Sequence, residues 1–115
     1  MKKKYIIITG GAGFVGSNLI ELFLKKTNYK IISIDDYSSG NKKNHIINPK
    51  VKYIKGSTSN IFKILKKYKK SIESLFHFGE FSRIFQSFKM FNRCYQSNSI
   101  GSQTVFKFCL ENKIK

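Results

Sequence analysis

Tyr5-Ile6-Ile7-Ile8-Thr9, then Gly10-Gly11-Ala12-Gly13-Phe14-Val15-Gly16, then Ser17-Asn18-Leu19-Ile20: a strand, a glycine turn and a helix open this chain. The apolar run has the composition of a strand buried on both faces. The apolar residues that follow recur at helical spacing through Val15, Leu19 and Phe23. Between the two, Gly11-x-Gly13-x-x-Gly16 satisfies the dinucleotide-binding fingerprint in the strand-to-helix context that gives it meaning. One glycine permits the tight turn, one lets a pyrophosphate approach the backbone, and one lets the helix pack close to the strand. The unpaired N–H groups and positive end of that helix then face the phosphates.

A second run, Lys30-Ile31-Ile32-Ser33-Ile34, ends in Asp35-Asp36. Asp35 follows Gly16 by nineteen residues, close to the roughly 20-residue spacing of the acid that holds the adenosine ribose. A carboxylate there accepts hydrogen bonds from the ribose hydroxyls and repels a 2′-phosphate, so NAD is expected rather than NADP. The plainer alternative is a tight βα turn followed by a solvated acidic loop.

With 115 residues the chain has room for one domain and a modest core. Its apolar residues fall in periodic segments, as in a globular protein rather than a disordered one. No apolar run approaches the length of a membrane span, and Met1-Lys2-Lys3-Lys4-Tyr5 leads into a strand without a small-residue cleavage site. Cys94 and Cys109 have no metal-ligand partners nearby, and no metal site is expected. In one predicted helix they stand roughly 22 Å apart along the axis, too far to bridge. A reducing cytoplasm fits this usage.

Twenty-two Lys and Arg against six acids give a formal charge of +16, enough to attract polyanions. Nearly all are Lys; Arg83 and Arg93 are the exceptions, whereas base readout favours Arg. The lysine pairs fall on predicted helix ends and loops. Non-specific polyanion binding at low salt is expected, without specific nucleic-acid recognition.

The order reads strand 4–9, helix 14–27, strand 30–35, loop 36–49, strand 51–55, helix 60–70, strand 72–78, loop 79–88 and helix 89–112. This alternation predicts the α/β class. The architecture expected is a Rossmann-like doubly wound parallel sheet, truncated to about four strands in the order 3-2-1-4, with flanking helices. Ser57-Thr58-Ser59-Asn60 offers cap residues for the second helix. His77, ending a strand, reads as a packed imidazole bonded to backbone rather than a catalyst. His45 sits in a polar loop without an expected role.

Thr9 through Leu19, followed by Asp35-Asp36-Tyr37-Ser38-Ser39-Gly40-Asn41, resembles the NAD-dependent epimerase/dehydratase family, within the extended short-chain dehydrogenase/reductases. The resemblance implies NAD as cofactor. It matches Gly10, Gly13 and Gly16 to the phosphate turn, with Phe14 and Val15 supplying backbone contacts to the pyrophosphate. It makes Asp35 the ribose acid and Asp36, Tyr37, Ser38, Ser39 and Gly40 the loop around the adenosine. Ser57 and Thr58 stand where the family contacts adenine, Ser57 replacing the usual Asp. Phe78, Gly79 and Glu80 stand beside the nicotinamide ribose, Glu80 replacing a small residue. Asn98 matches a helix residue that tethers the fourth strand.

The family's chemistry needs a Tyr-x-x-x-Lys pair, whose lysine lowers the tyrosine pKa so that phenolate can take a sugar hydroxyl proton. None of the six tyrosines has a lysine four residues on. The expectation is therefore that residues 1–115 form the N-terminal part of an NAD-binding domain whose catalytic and sugar-binding parts are missing. It would be inactive alone and would meet a nucleotide sugar only through the missing part. Ser74-Leu75-Phe76-His77-Phe78 would then be an unpaired apolar edge, recruiting a second copy or a complementing chain. Two alternatives stand beside this: a noncatalytic NAD-binding or regulatory module completed by a partner, and a basic nucleic-acid-binding protein using the same fold.

Overall fold

The computed structural model describes residues 2–38, 40–79 and 96–115. Four parallel strands, β1 (Tyr5–Thr9), β2 (Lys30–Asp35), β3 (Val51–Lys55) and β4 (Ile72–His77), form one sheet in the order β3-β2-β1-β4. The 3-2-1-4 order is therefore the one observed. β1 pairs in simple register with β2, Ile7 opposite Ile32. Against β4 the register shifts between Tyr5 and Ile6, their partners being Ile72 and Ser74.

Successive isoleucines point to opposite faces of the sheet, and both faces are covered. Ile7, Ile32 and Ile34 pack with Ile61, Leu65, Val105 and Phe108 on one side. Ile6, Ile8 and Ile31 pack with Ile20 on the other. That two-sided burial is why the strands read as unbroken apolar runs rather than as alternation.

Helix α1 (Phe14–Lys26) ends at Thr27, whose N–H donates to Phe23 O at 2.9 Å. Lys50 Nζ donates to Leu24 O at 3.4 Å and Thr27 O at 3.1 Å, placing a cation on the negative end of the helix. After β3, Ser57 Oγ accepts from Ser59 N and starts a 3-10 turn, Thr58–Asn60. Helix α2 is then only Ile61–Ile64, far shorter than the expected 60–70, and residues 65–70 continue as turns. Lys63 with Lys67, and Lys66 with Lys70, would stack like charges at i,i+4 in a longer helix, with no acid to relieve them.

In the last described helical stretch a π turn, Gln96–Gly101, leads into α3 (Ser102–Glu111). Thr104 Oγ1 donates back to Ile100 O at 2.8 Å, a bond that bends a helix at such a junction. The expected start at residue 89, and Cys94, lie outside the described residues. Among the described residues the β4 edge is engaged at Leu75, whose N–H donates to Lys115 O at 2.7 Å, and Ile114 is buried in the core. The reading of that edge as wholly unpaired is corrected there. Among the described residues no helix is long and apolar enough to cross a membrane.

Candidate dinucleotide-binding site

The glycine turn joins the carboxyl end of β1 to α1, between the ends of β2 and β4. Gly10 has φ 76°, a conformation that L side chains rarely adopt. Its N–H donates to Ile34 O at 2.7 Å, and a Cβ there would lie 2.8 Å from both C and O of Phe78. Gly11 lies directly over Ser33, where a Cβ would fall 1.9 Å from Oγ. At Gly16 a Cβ would meet Gly10 O at 2.3 Å and Gly11 Cα at 2.9 Å. The obstacle at Gly16 is thus the turn's own backbone rather than the wedging of helix from strand that the motif suggests.

Gly13 differs from all three. Its backbone, φ −84° and ψ 177°, is ordinary extended chain. A Cβ there would approach only Gly10 O, at 3.3 Å. Neither conformation nor internal packing demands glycine at this position; what it preserves is open space at the head of α1. No side chain caps that helix, and no acid sits in its first turn. The first N–H groups of a helix, here those of Phe14, Val15 and Gly16, have no intrahelical acceptor. Phe14 and Val15 hold their side chains out into solvent, 82% and 56% exposed.

Asp35, 8% exposed at the end of β2, braces this turn. Its Oδ2 accepts from Ala12 N at 3.0 Å and its Oδ1 from Tyr37 N at 2.8 Å. The carbonyl of Ala12 accepts from Asn41 N at 3.0 Å and Asn44 Nδ2 at 2.8 Å. Ala12 is therefore gripped on both sides by the loop after β2, and Asn41 and Asn44 are positioning residues that spacing did not reveal. Gly40 lies against the acid, where a Cβ would clash with Asp35 Oδ2 at 2.7 Å. Asp36 turns one oxygen to Ser38 N at 2.9 Å, forming a local turn. Ser39 is outside the described residues.

Tyr37 has φ 61°, and its hydroxyl shares a 2.7 Å hydrogen bond with His45 Nε2. The His45 ring stacks on Tyr53 at 3.8 Å between centroids, and Tyr53 OH accepts from Ile46 N at 2.9 Å. His45, read as an idle loop residue, is thus the middle of an aromatic clasp holding the loop to β3. Partial burial, then the Asp35 charge and Tyr53, push the Tyr37 phenol above its usual pKa.

At the end of β4, Phe78 N–H donates to Thr9 O at 3.0 Å and Gly79 N–H to Thr9 Oγ1 at 2.9 Å. His77 is a packed imidazole, and its ring nitrogens are bonded to two hydroxyls. Its Nδ1 shares 2.6 Å with Thr9 Oγ1 and its Nε2 shares 2.8 Å with Ser102 Oγ. Ser102 was missed in the sequence, and it ties β4 to α3, the work assigned to Asn98. Only the backbone of Asn98 is described, and Glu80 lies outside the described residues. Ser57 Oγ is engaged by Ser59, through its N–H at 3.2 Å and its hydroxyl at 2.8 Å. Thr58 is buried, and Gly79 packs over its methyl group. Among the described residues no three His, Cys, Asp or Glu side chains are grouped to hold a metal.

A parallel sheet with a glycine turn between its first strand and helix, and an acid ending the second strand, defines a dinucleotide-binding α/β domain. Residues 6–115 match the NAD dependent epimerase/dehydratase family, and the chain belongs to it. A UDP-glucose 4-epimerase of Lactobacillus helveticus is 26% identical over 113 residues, covering 96% of this chain and 33% of that protein. The UDP-N-acetylglucosamine 4-epimerase of Methanobrevibacter ruminantium, solved with UDP-N-acetylmuramic acid, superposes with a TM-score of 0.83 at 29% identity, over 100% of this chain and 36% of that one. WbmG of Bordetella bronchiseptica in complex with NAD shares the fold, with a TM-score of 0.83 at 24% identity, over 99% of this chain and 36% of its own. This chain thus spans about a third of the length of each.

Proposed function

We propose that this chain is the NAD-binding portion of a nucleotide-sugar epimerase or dehydratase. The observation that carries the reading is Gly13: a glycine with ordinary backbone and empty surroundings, heading an uncapped helix beside a buried carboxylate. A pyrophosphate fits that space, with the N–H groups of Phe14, Val15 and Gly16 as donors and the α1 dipole favouring its charge. Gly10, Gly11 and Gly16 hold the turn in shape, and Phe78 and Gly79 close it on the β4 side.

Asp35 keeps further lone pairs for the adenosine ribose while bracing Ala12, and Tyr37, Ser38 and Gly40 border the same end of the sheet. The carboxylate disfavours a 2′-phosphate in this half-desolvated place, so NAD is preferred over NADP. Ser57 stays with its turn, which leaves adenine held by shape and backbone more than by a side-chain hydrogen bond.

When bound, NAD supplies a reversible hydride acceptor for a sugar carbon. We infer that the proton-moving Tyr/Lys pair and the sugar pocket belong to parts of the whole enzyme beyond these residues, because the relatives are about three times as long. Binding of the nucleotide sugar, and pairing of the remaining β4 edge with a further strand or a second copy, would follow from the same division. The unpaired, half-buried Cys109 thiol, its pKa pushed up by burial, suits a reducing cytoplasm.

Calorimetric titration with NAD and NADP at moderate salt tests the proposal. Saturable, tighter binding of NAD supports it; tighter NADP binding refutes the role given to Asp35.

A further inference from the structure

The opposite end of the sheet, where the strands begin, carries chemistry that cofactor binding does not use. Backbone bonds align the strand starts there: Lys4 N–H donates to Ser71 O at 2.8 Å, Lys30 N–H to Lys4 O at 2.9 Å and Ile31 N–H to Lys50 O at 2.7 Å. Lys2, Lys3, Lys4 and Lys30, with Asn28 and Tyr29, line a cavity of about 400 Å³. Lys69 and Lys70 immediately precede Ser71, so their charges lie at the same end. Lys50 is different, because its ammonium is spent on the end of α1.

Among the described residues no carboxylate lines this cavity. Glu21 is paired with Lys25 at 3.1 Å, and Glu73 is the acid of β4 nearest this end. By contrast the cofactor end carries Lys42, Lys43 and Lys55 beside Asp35 and Asp36. Of these lysines the strand-start end thus carries six against Glu73, and the cofactor end three against two acids.

One aromatic residue, Tyr29, lines the cavity with these lysines. Tyr29 is half-buried: it packs against the core with Ile6 and Ile31 and also lines the cavity. Tyr5 and Tyr68, which meet edge to face at 5.0 Å, pack against the core on the other face of the sheet and lie outside this cavity. Lysines that track phosphates and rings that stack on bases are the two components of single-strand recognition. The volume lies at the lower end of the range of about 300–1,000 Å³ of small-ligand pockets.

We propose that the strand-start end of the sheet binds single-stranded nucleic acid through backbone charge and base stacking, without sequence preference. A tyrosine-and-lysine cavity with no aliphatic lining suits an unstacked base better than a lipid chain. The site lies a strand length, roughly 16 Å, from the glycine turn, so it neither needs nor blocks the dinucleotide.

The test is fluorescence anisotropy of a labelled 12-nucleotide oligouridylate with the 115-residue chain between 50 and 200 mM salt. With four lysines engaged, the log–log salt slope is expected near −3, a loss of about 50-fold across that range. Lys2→Gln/Lys3→Gln/Lys30→Gln is expected to reduce that slope by about 2. A charge-matched control, Lys42→Gln/Lys43→Gln/Lys55→Gln, leaves it unchanged. Tyr29→Leu weakens binding about tenfold with no change of slope, and Gly13→Val has no effect, which separates this site from the NAD reading. Equal weakening by both triple variants would mean diffuse attraction and overturn the proposal. So would phosphatidylserine vesicles that compete the oligonucleotide off while Tyr29→Leu binds it normally.

Discussion

Gly13→Ala and Gly16→Ala place one methyl each in the same turn, and the structure assigns them opposite consequences. At Gly16 the methyl meets Gly10 O at 2.3 Å and Gly10 C at 2.9 Å, backbone atoms fixed by the bond from Gly10 N to Ile34 O. Overpacking of this kind costs about 1–3 kcal/mol, and a rigid obstacle belongs at the upper end. Alanine returns up to about 1 kcal/mol of helix propensity. The net is a loss of about 2 kcal/mol, or roughly 10 °C in Tm for a domain of this size.

At Gly13 the single approach is 3.3 Å. The poorer N-cap residue costs about 0.5–1 kcal/mol, offset by a similar loss of unfolded-state entropy. Its Tm therefore stays within about 3 °C of the parent. The same methyl fills the space proposed for the pyrophosphate, and losing hydrogen bonds to a charged group costs about 1.5–3 kcal/mol, a tenfold to hundredfold weaker Kd. Circular-dichroism melts and NAD calorimetry on both variants decide the matter. A Gly13→Ala protein that melts like the parent and binds NAD like the parent refutes the reasoning.

Three further outcomes follow from the bonds around the turn. Asp35→Asn sets an amide N–H against the donor of Ala12 or Tyr37, so it should lower stability by about 1–3 kcal/mol and narrow the NAD-over-NADP preference, both read by melts and titration. Ser102→Ala removes the partner of His77 Nε2 and should cost about 1 kcal/mol in urea unfolding, with little change in NAD affinity if the tie is purely structural. Tyr37 has a raised pKa in the fold, so its contribution is complete below its ordinary value of 10.0 and declines as pH rises through the folded value. The Tm advantage of the parent over Tyr37→Phe should shrink between pH 9 and 11; a constant difference would show that the phenol gains nothing from being neutral.

The strands and the turn were legible because each depends on local pattern. Ile6-Ile7-Ile8 and Ile31-Ile32 are buried on both faces, and Gly10 through Gly16 carry their constraint in their spacing. Helix α2 was misread for a reason the periodicity of Ile61, Ile64 and Leu65 conceals, namely lysines stacked at i,i+4 beyond Lys63. The site's supports were harder still. Asn44, His45 and Ser102 act over 32, 8 and 25 residues of chain respectively, and nothing in their neighbourhoods marks them as partners of Ala12, Tyr37 and His77. Ser57 shows the converse: a hydroxyl suited to a ligand by position also serves its own turn, through Ser59.

The central claim, that NAD lies across the glycine turn at the carboxyl ends of the strands, is tested most directly by amide chemical shifts. A ¹⁵N-labelled sample titrated with NAD at moderate salt should move Ala12, Gly13, Phe14, Val15 and Tyr37 in a saturable manner. The amides of Lys3, Lys4 and Lys30, at the far end of the sheet, should stay in place. Shifts confined to those lysines, with the turn unmoved, would contradict the account and reduce NAD to one more anion drawn to a basic surface.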